Sequence, residues 1–415
     1  MSFDILIVGS GITGTALACA LSEQSCPLRI ALIDATPAPK PLTANHDWAL
    51  RVSAITPASR QILDTLRVWQ NLPQERLSPY THMTVWEHRG LDSSVGSLAE
   101  KGEIQFDAMD LGLDALGWIV ENEQLLQALL ERARNHDNIT LLRPLSLRSI
   151  HLEEDVVTLK FNGHPDIDGK LLVGADGARS QVRNLANITT KQRDYHSRAI
   201  VATVQTEKSH RKTAWQRFLP TGPLAFLPLT DPHQVSIVWS LSDSEAERHL
   251  HATEEDFNQA LMTASESRLG TVRLISDRAC FPLRYQHAEH YIRHRLALVG
   301  DAAHTIHPLA GQGLNMGLMD VHTLATQILK NRENNKHYWS KHRLRAYEIQ
   351  RRSENSLMLE LCDTLHHLFQ KEYGPLGDLR RLGINLCNSF SPLKRQMIRY
   401  ATHIDSPFQS TNNQA

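Results

Sequence analysis

The chain has 415 residues, 41% hydrophobic and 21% charged, with a formal net charge of −1. That length exceeds one simple domain and allows large cores, and the balanced charge supplies neither the basic stripe of a nucleic-acid binder nor an acidic disordered tail. No apolar run approaches the roughly 20 residues of a membrane span, and the five scattered cysteines (Cys19, Cys26, Cys280, Cys362, Cys387) read as reduced thiols rather than a disulfide frame.

Phe3 to Val8 reads as a buried strand that runs straight into Gly9-Ser10-Gly11-Ile12-Thr13-Gly14. A helical pattern follows, with Ala16, Leu17, Ala20 and Leu21 on one face. A second strand, Leu28 to Ile33, ends in Asp34, twenty residues after Gly14. This is the dinucleotide-binding strand–helix–strand unit in its required context: glycines for a tight turn and close approach to a pyrophosphate, and an acid for ribose hydroxyls. The bland alternative is a glycine turn in an ordinary α/β protein, and the flanking strand, helix and acid weigh against it.

Further along, Met83 to Glu87 is a strand candidate in a small insertion near 76–101. Asp107, Asp110 and Asp114 read as solvated loop acids rather than a glycosidase pair. Leu171 to Val173 forms a strand leading to Asp176-Gly177, with Arg179, Ser180 and Arg183 beyond. Alone, Asp-Gly is commonly just a turn. From 187 to 284 the character changes: Ala199 to Thr206 and Gln234 to Leu241 alternate, with Pro220, Pro223 and Pro228 between them, which reads as β-sheet with turns.

A third strand, Leu296 to Val299, runs into Gly300-Asp301, and Gly311-Gln312-Gly313 then leads into a helix-like run. The acid suits a sugar hydroxyl, while glycines at a helix start let the backbone approach a flat or anionic ligand. His304 and His307 have the spacing of a metal pair, but no third ligand stands near. For His304 a polar residue bonded to backbone competes with an acid/base role. Past 320 the pattern is helical. Leu357, Leu361, Leu365 and Leu368 form a core or subunit-interface stripe, Leu379, Leu382 and Leu386 continue it, and His366-His367 fall on the surface. The polar tail from Ser406 is expected to be disordered.

Together the three strand-to-acid turns resemble the single-component flavoprotein aromatic hydroxylases, the group that includes p-hydroxybenzoate hydroxylase. Within it, GDAAHTIHPLAGQGLN (Gly300 to Asn315), Gln216-Arg217-Phe218, Gly222 to Leu229 and Ser236 to Trp239 are similar to the ubiquinone-biosynthesis hydroxylases (UbiH, UbiF, UbiI), and Val68-Trp69-Gln70 with Ala115-Leu116-Gly117 lean toward UbiH. The resemblance spans residue 3 to about residue 400.

The resemblance implies FAD as cofactor and NAD(P)H as co-substrate. It assigns Gly9, Gly11, Gly14, Asp34, Asp176, Asp301, Pro308, Gly311, Gly313, Leu314 and Asn315 to cofactor binding. Arg51 would reach the adenylate part of FAD, and Asn122, at a helix start, the pyrophosphate. The stretch Asp47 to Ser53 departs from the family's usual pattern around that arginine. No catalytic acid or base is implied. The implied fold is α/β: a Rossmann-like FAD-binding domain assembled from 1–75, 102–186 and 285–345, an inserted β-sheet substrate domain from 76–101 and 187–284, C-terminal helices over 346–405 and a tail over 406–415.

The implied reaction is hydroxylation of a polyprenylphenol ring with O₂, through a flavin hydroperoxide, in ubiquinone biosynthesis. Phe218, Leu224, Phe226, Leu227 and Trp239 are candidates for an apolar pocket lining or for core. Three alternatives stay open. One is a small aromatic acid substrate, gripped by an arginine such as Arg198, Arg211, Arg217 or Arg284. The others are a flavin-bearing assembly component and a flavin reductase without oxygen insertion. Expected partners are other ubiquinone-biosynthesis proteins and no nucleic acid. The expected location is cytoplasmic, with peripheral contact at the inner membrane.

Overall fold

The computed structural model describes residues 2–23, 28–40, 47–87, 102–306, 311–334, 336–370 and 375–402. Ten helices are described among them: α1 (Ile12–Ser22), α2 (Pro57–Thr65), α3 (Asn122–Arg134), α4 (Gln181–Leu185), α5 (Asp243–His251), α6 (Glu254–Ala264), α7 (Gln312–Glu333), α8 (Lys341–Gln370), α9 (Pro375–Ser389) and α10 (Ser391–Thr402). The polar tail and Pro308 lie outside the described residues.

Ile5, Leu6 and Ile7 of the first strand and all of Ile30–Ile33 are buried, so a sheet built from them must be covered on both faces. The strand order is Ile292–Arg293, Leu296–Leu298, Ile167–Gly174, Ser2–Val8, Ile30–Ile33, Ile139–Leu142, with Val157–Phe161 attached to Ile167–Gly174 and Leu147–Leu152 attached in turn to Val157–Phe161. Its centre is parallel: Ile5 pairs with both Leu171 and Ile30, and Leu172 with Leu296. α1 packs against both α3 and α7. All three strand-to-acid turns therefore leave the carboxyl ends of adjacent parallel strands, where ligands gather in open α/β sheets.

The second sheet is mostly antiparallel. Its order is His304–Thr305, Ala279–Ala288, Thr190–Thr206, Gln234–Ser242, Gly222–Pro228, Thr213–Leu219, His82–Glu87, Glu103–Asp107. It takes in Glu103–Asp107, His304–Thr305 and residues 285–288, so it draws on chain beyond the expected 76–101 and 187–284. Side chains alternate between its faces. Ile200, Val204, Leu224, Phe226, Ile237 and Trp239 share one face and bury against Ala246 of α5 and Phe257 and Leu261 of α6. The opposite face carries Val201, Ala225 and Val238, which pair across neighbouring strands, and Leu227, which packs with Ala54 and Ile119. A small third sheet, Val52–Ile55, Gly117–Glu121 and Ser78–Tyr80, supplies those last two residues.

Helix α8 closes the arrangement. Phe369 stacks on Phe218 with ring centroids 3.9 Å apart and planes 12° from parallel. The buried stripe of α8 is Met358, Cys362 and Phe369, with Leu365 partly buried, whereas Leu357 and Leu361 are 56% and 41% exposed. Of the expected leucine stripe, Leu365 and Leu368 pack inward, while Leu357 and Leu361 face outward, where an interface rather than the core would have to use them. Phe369→Ala should cost about 3 kcal/mol, read as a lower urea midpoint, and Phe369→Leu clearly less.

Candidate cofactor and substrate site

The first glycine turn is shaped by close backbone approach. Gly9 has φ +106°, and a Cβ there would lie 2.2 Å from the Ala175 carbonyl oxygen and 2.6 Å from the Asp176 nitrogen. A Cβ on Gly14 would sit 1.9 Å from the Gly9 carbonyl oxygen. These two glycines wedge the first turn against the Asp-Gly turn. Gly11 differs: a Cβ there meets nothing within 4 Å, and the residue caps the N-terminus of α1. Its open side fits an incoming phosphate at a helix N-terminus.

The three acids have different surroundings. Asp34 accepts hydrogen bonds from the Ser10 N–H (2.7 Å) and hydroxyl (2.9 Å) and from the Thr36 N–H (2.8 Å) and hydroxyl (2.7 Å). Burial would raise its pKa, but these bonds outweigh it and hold the carboxyl below the usual range. Asp176 accepts from the Ser180 hydroxyl and from the Gln181 (2.6 Å) and Val182 (3.0 Å) N–H groups, so it caps α4. Asp301 accepts no side-chain hydrogen bond among the described residues. It is solvent-accessible, yet it stands in a concavity crowded by protein, and that desolvation raises its pKa against the pull of His304 and Arg51. A free carboxylate in a recess, between two glycine turns, is what a polyhydroxy chain requires.

Gly300 has φ +59° and abuts Thr13 of α1, where a Cβ would come within 3.0 Å. Gly311, at φ +63°, caps α7. Gly313 is open, since a Cβ there would meet only Ile306, at 3.6 Å, and Leu314 leans on the first core. Asn315 is fully buried and turned inward: its Nδ2 donates to the Ala54 carbonyl (2.8 Å), and its Oδ1 accepts from the Thr56 N–H (3.0 Å). It clamps the strand after Arg51 to the start of α7. Arg51 is exposed, lies 5.4 Å from the centroid of the Phe281 ring, and is close enough to Asp301 to lower its pKa. That places it within electrostatic reach of the Gly-Asp turn. Asn122 begins α3, accepts from the Ser53 hydroxyl (2.7 Å), and its N–H donates to the Arg51 carbonyl (3.0 Å).

Sequence reading missed the charged core behind this turn. Asp320 of α7 is wholly buried and accepts from the Gly300 N–H (3.0 Å), His304 Nε2 (2.6 Å), Arg351 Nε (2.8 Å) and Asn355 Nδ2 (3.2 Å). Asn355 reaches the Tyr291 hydroxyl, which meets His287 Nε2 at 2.9 Å. Burial alone would raise the Asp320 pKa, but His304 and Arg351 bring it to about 2. The available signal was an acid inside an apolar helical run, Met316-Gly317-Leu318-Met319-Asp320-Val321.

Residues 2–360 match the family described as FAD binding domain. The chain is 36% identical over 398 residues to the 3-demethoxyubiquinol 3-hydroxylase of Escherichia coli (strain K12), covering 96% of this chain and 98% of that protein. It is 37% identical to the ubiquinone hydroxylase UbiL of Rhodospirillum rubrum, with 96% and 89% covered. It is 32% identical to the mitochondrial ubiquinone biosynthesis monooxygenase COQ6 of Homo sapiens, with 96% and 92% covered. The chain belongs to this family of FAD-dependent hydroxylases. The family fold is present throughout: the p-nitrophenol 4-monooxygenase PnpA of Pseudomonas putida DLL-E4 superposes with a TM-score of 0.75 at 18% identity, with 97% of this chain and 98% of that one covered.

Two outcomes follow for this family member. Asp320→Asn should destabilise the chain by about 3–5 kcal/mol, because Arg351 and His304 lose their buried counter-charge, and urea unfolding reads it. The second concerns pH. Burial, with His304 and Arg352 adding to it, holds His287 down at about 4, while its ordinary value is 6.5. Below 6.5 the unfolded chain binds a proton that the folded chain refuses, so stability is complete above 6.5 and falls as pH drops toward about 4. Asp320, at about 2, adds nothing to that fall. His322 is also held down at about 4, by burial and then by Arg351, so the two act in the same window. The urea midpoint should decline across it, and His287→Gln should make the decline shallower without abolishing it.

Proposed function

We propose that this chain hydroxylates the aromatic ring of a polyprenylphenol in ubiquinone biosynthesis, with FAD as cofactor and NAD(P)H and O₂ as co-substrates. The observation that carries the reading is the junction of Asp301, Arg51 and the half-exposed inner sheet face of Ala225, Leu227, Val238 and Phe281. One end of that junction is polar and suits a ribityl chain. The other is apolar and suits a prenylated ring. The names of the relatives point the same way.

Two of the four candidate arginines are unavailable to a small aromatic acid. Arg217 donates to the Ala264 carbonyl (2.5 Å) and to Glu266 (2.7 Å), and Arg198 pairs with Asp243 (3.1 Å), so both are engaged on the helix-covered side of the sheet. Leu224, Phe226 and Trp239 lie on that side as well, which makes them core rather than pocket lining. Phe218 is held by α8, and of the original pocket candidates Leu227 keeps the inner position.

In this reading Gly9, Gly11, Gly14 and the N-terminus of α1 receive the pyrophosphate, and Asp301 binds ribityl hydroxyls. Asp34 and Asp176 hold the turns in shape, and Asn122 fixes the Arg51 backbone. When bound, the flavin supplies hydride acceptance and oxygen activation. Backbone N–H groups from Gly311 to Asn315, at the N-terminus of α7, favour negative charge at the polar edge of the ring. The apolar inner face orients the substrate and excludes water. The same proposal includes a cytoplasmic location, peripheral membrane contact and association with other proteins of the pathway. The UbiH-like stretches, Val68-Trp69-Gln70 and Ala115-Leu116-Gly117, stand beside relatives with other names, so mass spectrometry of quinone precursors after gene deletion would identify the ring carbon.

Purified protein should be yellow with stoichiometric FAD, and Asp301→Ala should lose most of it. A short-chain prenylphenol should stimulate NAD(P)H oxidation coupled to hydroxylation, and 4-hydroxybenzoate should not. Ala225→Trp should keep FAD while lowering kcat/KM by on the order of 10²-fold. Coupled hydroxylation of 4-hydroxybenzoate alone would move the chain to the small-acid branch.

A further inference from the structure

Helices α9 and α10 cover the molecule with their inner sides only. Ile398 of α10 is 3% exposed and buries against Ala108 and Leu116, and Thr402, one turn on, is buried too. Outward lies an apolar stripe. Leu382 and Leu386 of α9 and Phe390 just past it follow at four-residue spacing, and Leu393 and Met397 of α10 are exposed as well, with exposures from 39% to 60%. Isolated exposed leucines are ordinary, whereas five large apolar residues on two adjoining helices mark a contact surface.

The charge of these two helices is mostly basic. Residues 375–402 contain Arg380, Arg381, Lys394, Arg395 and Arg399 against a single acid, Asp378. Lys394 pairs with Asp110 of the neighbouring turn at 3.1 Å, while Arg395 is exposed. No described helix is long and apolar enough to cross a membrane. An apolar stripe rimmed by basic residues on short helices is the composition that lies in the plane of anionic headgroups.

We propose that the outer face of α9 and α10 docks this chain onto an anionic lipid bilayer, with the stripe from Leu382 to Met397 inserted among the headgroups. A second copy fits the surface poorly. A two-fold contact sets a patch against itself, and here it would oppose two pairs of helices that each carry five basic residues and one acid. The surface also touches the ring-side turn, since Gln312 Nε2 donates to the Ala401 carbonyl at 3.2 Å. Resting on the hydroxylase reading, that contact puts the bilayer next to the site, so a prenylphenol dissolved in lipid would reach it without crossing water.

The test is sedimentation of the full chain with vesicles of phosphatidylcholine alone and of phosphatidylcholine with phosphatidylglycerol. The chain should pellet with the anionic vesicles and be released as salt rises. Arg395→Gln should weaken binding about fivefold, and Leu386→Ser and Phe390→Ser about tenfold each. All three positions are exposed, so the variants should keep the parent's urea midpoint and FAD absorbance. Failure to pellet with either vesicle overturns the proposal, as does equal binding to both that ignores Arg395→Gln. A dimer in sedimentation velocity that Phe390→Ser abolishes also overturns it, assigning the face to a second copy. No turnover is measured, so loss of vesicle binding leaves the hydroxylase reading standing, and an inactive chain that binds vesicles leaves this one standing.

Discussion

A carboxylate with no access to water organises the Gly-Asp end of this molecule. Asp320 binds the Gly300 backbone, His304, Arg351 and Asn355 at once. A buried charge is tolerated only when its counter-charges and hydrogen bonds are complete, so α7, the turn at Gly300 and α8 are obliged to meet in one geometry. The chain that supplies the turn and the chain that supplies Arg351 are some fifty residues apart, and each is held by the other. Asp301, next in sequence to Gly300, is thereby held in place, and among the described residues its carboxylate accepts no hydrogen bond.

The same division runs through the other motif residues. Asn315, Asp34 and Asp176 sit in ligand-binding motifs, yet their side chains are spent on the protein: on Ala54 and Thr56, on Ser10 and Thr36, and on the start of α4. They keep backbone turns in the shape a cofactor meets. Among the described residues, Gly11 and Gly313 have open space around them and Asp301 accepts no side-chain hydrogen bond. A motif residue thus declares its motif, but the surroundings decide whether it grips the cofactor or braces the residue that does.

Much of this was legible from local pattern. The first glycine unit, the strands before each acid and the alternating inserted sheet follow from periodicities of 2 and 3.6 residues, which are local properties. What escaped was set by tertiary contact. Leu224, Phe226 and Trp239 read as core by default with lining as the rival, because alternation shows which residues share a face and not which face meets α5 and α6; they are core. Leucine spacing in α8 offers a stripe for core or interface, and Leu365 and Leu368 pack inward while Leu357 and Leu361 stay exposed. The contact of Arg51 with Phe281, 230 residues away in the chain, has no signature in local pattern.

The inner face of the second sheet shows why the fold separates its two tasks. A sheet whose strands alternate cannot be apolar on one side without consequence for the other. Burying Leu224, Phe226, Ile237 and Trp239 under α5 and α6 gives the sheet its rigidity. The residues in between, Val201, Ala225 and Val238, are then forced to the opposite face, toward which Phe281 and Arg51 also converge. The side chains at those positions are small or β-branched, so this face carries less bulk than the one under α5 and α6. Both faces therefore arise from one alternation, and a substitution that enlarges Ala225 acts on the inner face while leaving the buried one intact.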